Sequence, residues 1–237
     1  MEQNSKPARK RKGNESKPTA DLRAKRLFSL KQVVARMMKA CIPEYKECAI
    51  EEIIRDCLSP GPSSTGSGNA ETEPWNDSAE HVPNLSSEKI LPGEEHAVHL
   101  DVLFEAKLPK SMNSQDKMLI GIEIQNDFKS IDKLIARGIF YLAVMTVSQY
   151  GERFQAPHYG KMIPVCSIWV CPMAPKKLAS TILTIHNVIE VEPKEKQQEI
   201  QKHLDHKMSQ TLVAINLNGD VKPPDDIRGF LWTLMHP

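Results

Sequence analysis

No hydrophobic run in the chain is long enough to cross a bilayer: the longest, residues 138–147, falls well short of the roughly 20 apolar residues a membrane helix needs. No apolar core follows the basic start, so that start does not read as an export signal. The expectation is a soluble, unexported, cytoplasmic protein. Paired cysteines are also missing. Cys41, Cys48, Cys57, Cys166 and Cys171 form no Cys-x-x-Cys spacing and are odd in number, which argues for reduced thiols over a disulfide scaffold. There is no Gly-x-Ser-x-Gly turn and no cysteine with an evident base partner, so serine or cysteine hydrolase chemistry is set aside. His203, Asp205 and His206 lack a zinc spacing, and no internal repeat is present.

Net charge is nearly absent, at +1 over 237 residues, but it is segregated. Residues 1–31 hold ten Lys or Arg against three acids, leaving that arm at +7 and the remainder at −6. Residues 1–20 have no hydrophobic periodicity and are expected to be a disordered basic arm, able to add salt-dependent phosphate contacts or simply to act as a solubilising tail. Residues 21–237 read as a single domain interrupted at about 59–95 by an acidic stretch rich in Ser, Gly and Pro, which cannot bury a core and is ordered only near residues 85–91.

The chemistry-bearing residues gather between positions 98 and 125. Val98, Leu100, Val102, Phe104 and Ala106 alternate with His99, Asp101, Leu103 and Glu105, and Met118, Ile120, Ile122 and Ile124 alternate with Leu119, Gly121, Glu123 and Gln125. The turn-rich segment 109–116 makes these an antiparallel hairpin. Pairing the apolar faces puts Asp101, Glu123 and Gln125 on one side. Two carboxylates on adjacent strands suit Mg²⁺, which takes oxygen ligands and keeps waters for a substrate to displace. A half-exposed strand also carries acids on its wet face for no other reason than solvation.

A helix is predicted from Ile131, Leu134, Ile135, Ile139, Leu142 and Met145, with Arg137 and Tyr141 one turn apart on a neighbouring stripe. Arginine's planar fork matches a phosphate, although an Arg stem packed on a Tyr ring accounts for the spacing equally well. Residues 165–171 form an apolar run of strand length, and strand, helix and strand in that order predict a parallel crossover pair. Upstream, helices are expected from Leu22, capped by Asp21, and over residues 48–57. Downstream, residues 175–189 read as helix or loop, 192–206 as a charged stretch, 211–217 as a last strand, and Pro223 and Pro224 as the opening of a terminal helix with Phe230, Leu231 and Leu234.

Taken in order, GIEIQ, LIARGIFYLAVMTVSQYGERF and PVCSIWVC resemble the PD-(D/E)xK nuclease family transposases, grouped with the recombination-promoting (Rpn) nucleases of bacteria. The similarity is strongest over residues 98–177. It implies an α/β (α+β), restriction-endonuclease-like core in which a mixed central sheet is flanked by helices. It also implies a Mg²⁺-dependent hydrolase of DNA phosphodiesters, with Mn²⁺ as a substitute ion and a role in recombination. Asp101, Glu123 and Gln125 take the catalytic places, Asp101 and Glu123 being the metal ligands, and Arg137 with Tyr141 the nucleic-acid contact. Glu51 and Glu52 are candidates for a further helix acid. The family's familiar motif has Lys where Gln125 stands. A Gln can hold a water but carries no charge and cannot act as a base, so the alternative is a weak or inactive nuclease-like fold that binds DNA or a protein. The resemblance leaves a homodimer open.

Overall fold

VCSIWVC is apolar on both faces, the pattern of a strand that has helices above and below it. In the computed structural model of the protein it is the middle strand of the sheet and is buried along its whole length. The structure describes residues 20–58, 80–83, 85, 88–90, 97–109, 116–126, 130–203, 209–219 and 223–236. Nearly all of the predicted basic arm, residues 59–79 of the acidic insertion and residues 110–115 of the hairpin loop lie outside them.

In chain order the elements are α1 (Ala20–Ser29), α2 (Lys31–Cys41), α3 (Ile50–Glu52), β1 (Glu88–Ile90), β2 (Ala97–His99), β3 (Val102–Lys107), β4 (Lys117–Ile124), α4 (Ile131–Val147), β5 (Val165–Cys171), β6 (Ile182–His186), α5 (Gln197–His203), β7 (Gln210–Asn216) and α6 (Ile227–Met235). A π turn, Ile53–Cys57, continues α3 and completes the helix expected over 48–57. The five-stranded mixed sheet runs β3-β4-β5-β7-β6, and β1 and β2 form a separate antiparallel pair. The predicted hairpin is present as antiparallel β3 and β4, with Val102 opposite Ile122, but its first strand starts at Val102 and not at residue 98: residues 97–99 pair with β1, and Val98 and Leu100 pack with Leu103, not on the face of Val102. The predicted crossover is present as parallel β4 and β5, with Ile122 beside Ile168.

Alternation along the strands builds two cores. Val102, Phe104, Ile120, Ile122, Ile168 and Val213 face α1, α2, α3 and α6, where Phe28, Val34, Met38, Ile53 and Leu231 meet them. Leu103, Leu119, Trp169, Leu212 and Ala214 face α4, against Leu134, Tyr141, Leu142 and Met145. All five cysteines are buried and free, consistent with the reading of reduced thiols. No helix among the described residues is long and apolar enough to cross a membrane.

Several expectations are corrected. The second face of the hairpin is not wet. The crossover helix α4 covers it, so β4 is buried through its centre. Ile139, expected to face inward, is 50 % exposed, and Gly138 lies against the sheet in its place. A Cβ at Gly138 would stand 2.5 Å from Leu212 Cδ2, so this glycine lets α4 approach β7 and sets the rotation of a helix that is apolar nearly all round. The long helix expected from Leu22 begins earlier, at Ala20, which places Asp21 inside the helix and not at its cap. That helix is broken at the extended Leu30, because the end of the insertion docks there: Val82 N–H donates to Ser29 O and Lys31 N–H to Glu80 O, both at 2.8 Å. Residues 80–82, ahead of the expected 85–91, are thus placed against the helix, while residues 86, 87 and 91 lie outside the described residues. Residues 182–186, inside a stretch read as beginning in helix or loop and not recognised as a strand, form β6, half exposed and, among the described residues, paired with β7 at the edge of the sheet.

Candidate functional site

β3 and β4 together fix the acidic pair. Continuing the β3–β4 register one step past Val102 and Ile122 sets Asp101 opposite Glu123. Backbone N–H groups hold both carboxylates: Asp101 N–H donates to Glu123 Oε1 at 3.2 Å, and Ile124 N–H donates to Asp101 Oδ2 at 2.9 Å. Each carboxylate is oriented by a backbone N–H from across the pair, and the two lie close enough for their charges to interact. Asp101 is partly exposed and Glu123 only 4 % exposed.

Burial pushes the Glu123 carboxyl up from its ordinary value of 4.5 to about 8, and the nearby Asp101 charge adds to the rise. The Asp101 N–H, Arg137 and Lys25 act in the opposite direction. A buried carboxyl raised both by desolvation and by a like charge marks a functional candidate, because folding retains it at a cost in stability.

Gln125 follows β4, and its N–H is bound to Val170 O at 2.9 Å. Arg137, on the exposed side of α4, donates to Gln125 Oε1 at 2.7 Å and to Tyr141 Oη at 2.9 Å. Its guanidinium lies 5.2 Å from the Tyr141 ring centre and 5.3 Å from that of Trp169. Tyr141 and Trp169 meet edge to face at 5.3 Å, and Trp169 Nε1–H donates to Ser167 Oγ at 2.9 Å. Such an aromatic pair adds about 0.5–1.5 kcal/mol beyond its burial. The fork of Arg137 is thus held in place by two rings and an amide, beside the acidic pair.

All five residues singled out in the sequence are therefore brought together. One role changes. The Gln125 amide oxygen accepts from Arg137, so this side chain helps to aim the guanidinium, and an amide cannot take a proton from water. Glu52 sits beside Cys48 and Cys57, near Lys107 at the far end of β3, and is not part of the site. Glu105, on the same alternation as Asp101, is ion-paired with Lys117 and Arg153.

Sequence reasoning missed Lys25. Its Nζ reaches across from α1 to within 3.6 Å of Asp101 Oδ1. No spacing could have shown this, since the two residues meet only because α1 packs along β3. Trp169, inside the quoted SIWVC, was read as core and not as a support for Arg137.

The oxygen-only donor set fits Mg²⁺, which binds through one or two carboxylates and keeps waters for substrate phosphates. No cluster of three or more His, Cys, Asp or Glu able to hold a metal occurs among the described residues. No protein-family model matches the chain, and no curated protein or solved structure matches it either.

Proposed function

We propose that the chain is a metal-dependent nuclease of the PD-(D/E)xK type, cutting DNA phosphodiester bonds. The observation that carries this reading is the Asp101–Glu123 pair, two carboxylates held close together by backbone hydrogen bonds, one of them buried and raised to about 8. Asp101 and Glu123 would hold Mg²⁺, or Mn²⁺ in its place. When bound, the ion supplies Lewis-acid polarisation of a phosphate and a water of lowered pKa. Arg137 offers a preorganised guanidinium to a phosphate oxygen, held by the Gln125 amide oxygen and by the Tyr141 and Trp169 rings. The β3-β4-α4-β5 arrangement supports a restriction-endonuclease-like core. The association with transposition and recombination rests on the sequence resemblance alone.

A second reading is favoured by two specific features. Lys25 already supplies a cation to Asp101, and position 125 carries Gln in place of Lys. A fold whose acidic pair is neutralised by its own lysine suits a module that binds DNA or a protein without cutting.

Nicking of supercoiled plasmid in Mg²⁺ and in chelator separates the two. The nuclease reading expects relaxation by the wild type in Mg²⁺ only, with Asp101→Ala and Glu123→Ala inactive but folded. Nicking that persists in both variants refutes it. A wild type that shifts DNA yet leaves it uncut in Mg²⁺ and in Mn²⁺ supports the binding module.

A further inference from the structure

Lys25 is placed by the fold and not by side-chain reach alone. Three and four residues beyond it on α1, Phe28 and Ser29 are fully buried or nearly so, at 0 % and 1 % exposed. The Ser29 hydroxyl donates to Arg26 O at 2.9 Å and lies 2.7 Å from Nδ1 of His81, itself buried. With the two backbone bonds from residues 80–82, this anchors the last turn of α1. One helical turn upstream, the Lys25 side chain is only 25 % exposed, and its ammonium lies 3.6 Å from Asp101 Oδ1. The other oxygen of Asp101 is bound to Ile124 N–H, so Oδ1 is the atom a metal would claim.

We propose that Lys25 is a tethered counter-ion that occupies the cation position of the Asp101–Glu123 pair, so that a divalent ion binds only by displacing it. The inference rests on the metal-site reading given above. A charge held this close opposes a second cation in two ways: its ion pair must be broken, and the displaced ammonium remains nearby as a like charge. Lys25 thereby sets the affinity of the site for metal, and α1, clamped by residues 80–82, is the element that holds this setting. The displaced ammonium also becomes available to a phosphate, giving substrate and metal a shared reason to move it.

The test is Mn²⁺ binding to the full chain without DNA, followed by titration calorimetry and by loss of the free Mn²⁺ paramagnetic resonance signal. Lys25→Met keeps the stem and removes the charge, and Mn²⁺ affinity is expected to rise about 5- to 30-fold, the effect of a partly buried ion pair. Lys25→Arg keeps the charge and is expected to stay within about twofold of the wild type. Asp101→Asn is the control that abolishes binding. If the wild type binds Mn²⁺ through Asp101 and Lys25→Met binds it no more tightly, the counter-ion inference is overturned while the metal site stands. If neither the wild type nor Lys25→Met binds Mn²⁺, both fall together.

Discussion

Replacing Glu123 by Gln separates the charge of this residue from its shape. The amide retains an oxygen for the Asp101 N–H and nearly the same volume, but it cannot ionise. In the wild type the carboxyl rises from 4.5 to about 8 on folding. Below 4.5 the residue is protonated whether the chain is folded or not, and its favourable contribution is fully present. Between the two values the folded protein keeps a proton that the unfolded chain has released, so stability falls as pH rises, at roughly 1.4 kcal/mol per pH unit. Over this window the loss is a few kcal/mol, and it ends above pH about 8, where both states are ionised. Urea unfolding of both proteins at pH 5, 6, 7 and 8 measures this, because titrating groups that do not interact with Glu123 cancel in the difference. Glu123→Gln is expected to gain on the wild type by about 1 kcal/mol per pH unit and to be a few kcal/mol ahead by pH 8. Mn²⁺ should flatten the wild-type slope and leave the variant unchanged. Parallel stability curves would show that Glu123 does not hold a proton in the folded state, and would remove the physical basis for treating the acidic pair as a poised site.

Three further outcomes follow from other parts of the structure. Gln125→Ala removes the acceptor that aims Arg137 and should slow plasmid nicking about 10- to 100-fold, while Gln125→Lys sets an ammonium against the guanidinium and should not exceed the wild-type rate; a faster Lys variant refutes the role assigned to Gln125. Gly138→Ala drives a methyl into Leu212 and should destabilise by about 1–3 kcal/mol in urea unfolding, whereas no loss would mean that α4 has room to move off β7. Removing residues 1–20 should weaken DNA binding and reduce the slope of log affinity against log salt, since fewer counterions are released; an unchanged slope would leave the arm no part in binding.

Much of the centre of the molecule was legible in the sequence because side-chain period and chain order determine it. Alternation over 102–106 and 118–124 gives the hairpin, whereas its register, and with it Asp101 opposite Glu123, is not in the pattern, and Val98 and Leu100 fall on the face opposite Val102 because the strand breaks at residues 100–101. The fully apolar VCSIWVC gives the buried strand, and the order strand, helix, strand gives the parallel pairing. Arg137 and Tyr141 one turn apart gave a pair that the structure joins by a hydrogen bond. What was not legible depends on contacts distant in sequence. The exposure of Ile139 follows from Gly138 meeting Leu212, 74 positions along. The break at Leu30 comes from backbone bonds offered by residues 80–82, which lie beyond a stretch with no hydrophobic pattern. β6 was missed because an edge strand half in water shows only weak alternation in ILTIH. Lys25 was missed for the same kind of reason: a basic residue on a helix surface reads as solvated until the helix is placed against Asp101.

The central claim, that Asp101 and Glu123 form a metal site, is tested most directly by anomalous scattering from crystals soaked in Mn²⁺. The account predicts one strong peak within about 2.2 Å of a carboxylate oxygen of each residue, with the Lys25 ammonium moved away from Asp101. Crystals that take up Mn²⁺ elsewhere, or not at all, with Lys25 still on Asp101, would contradict it.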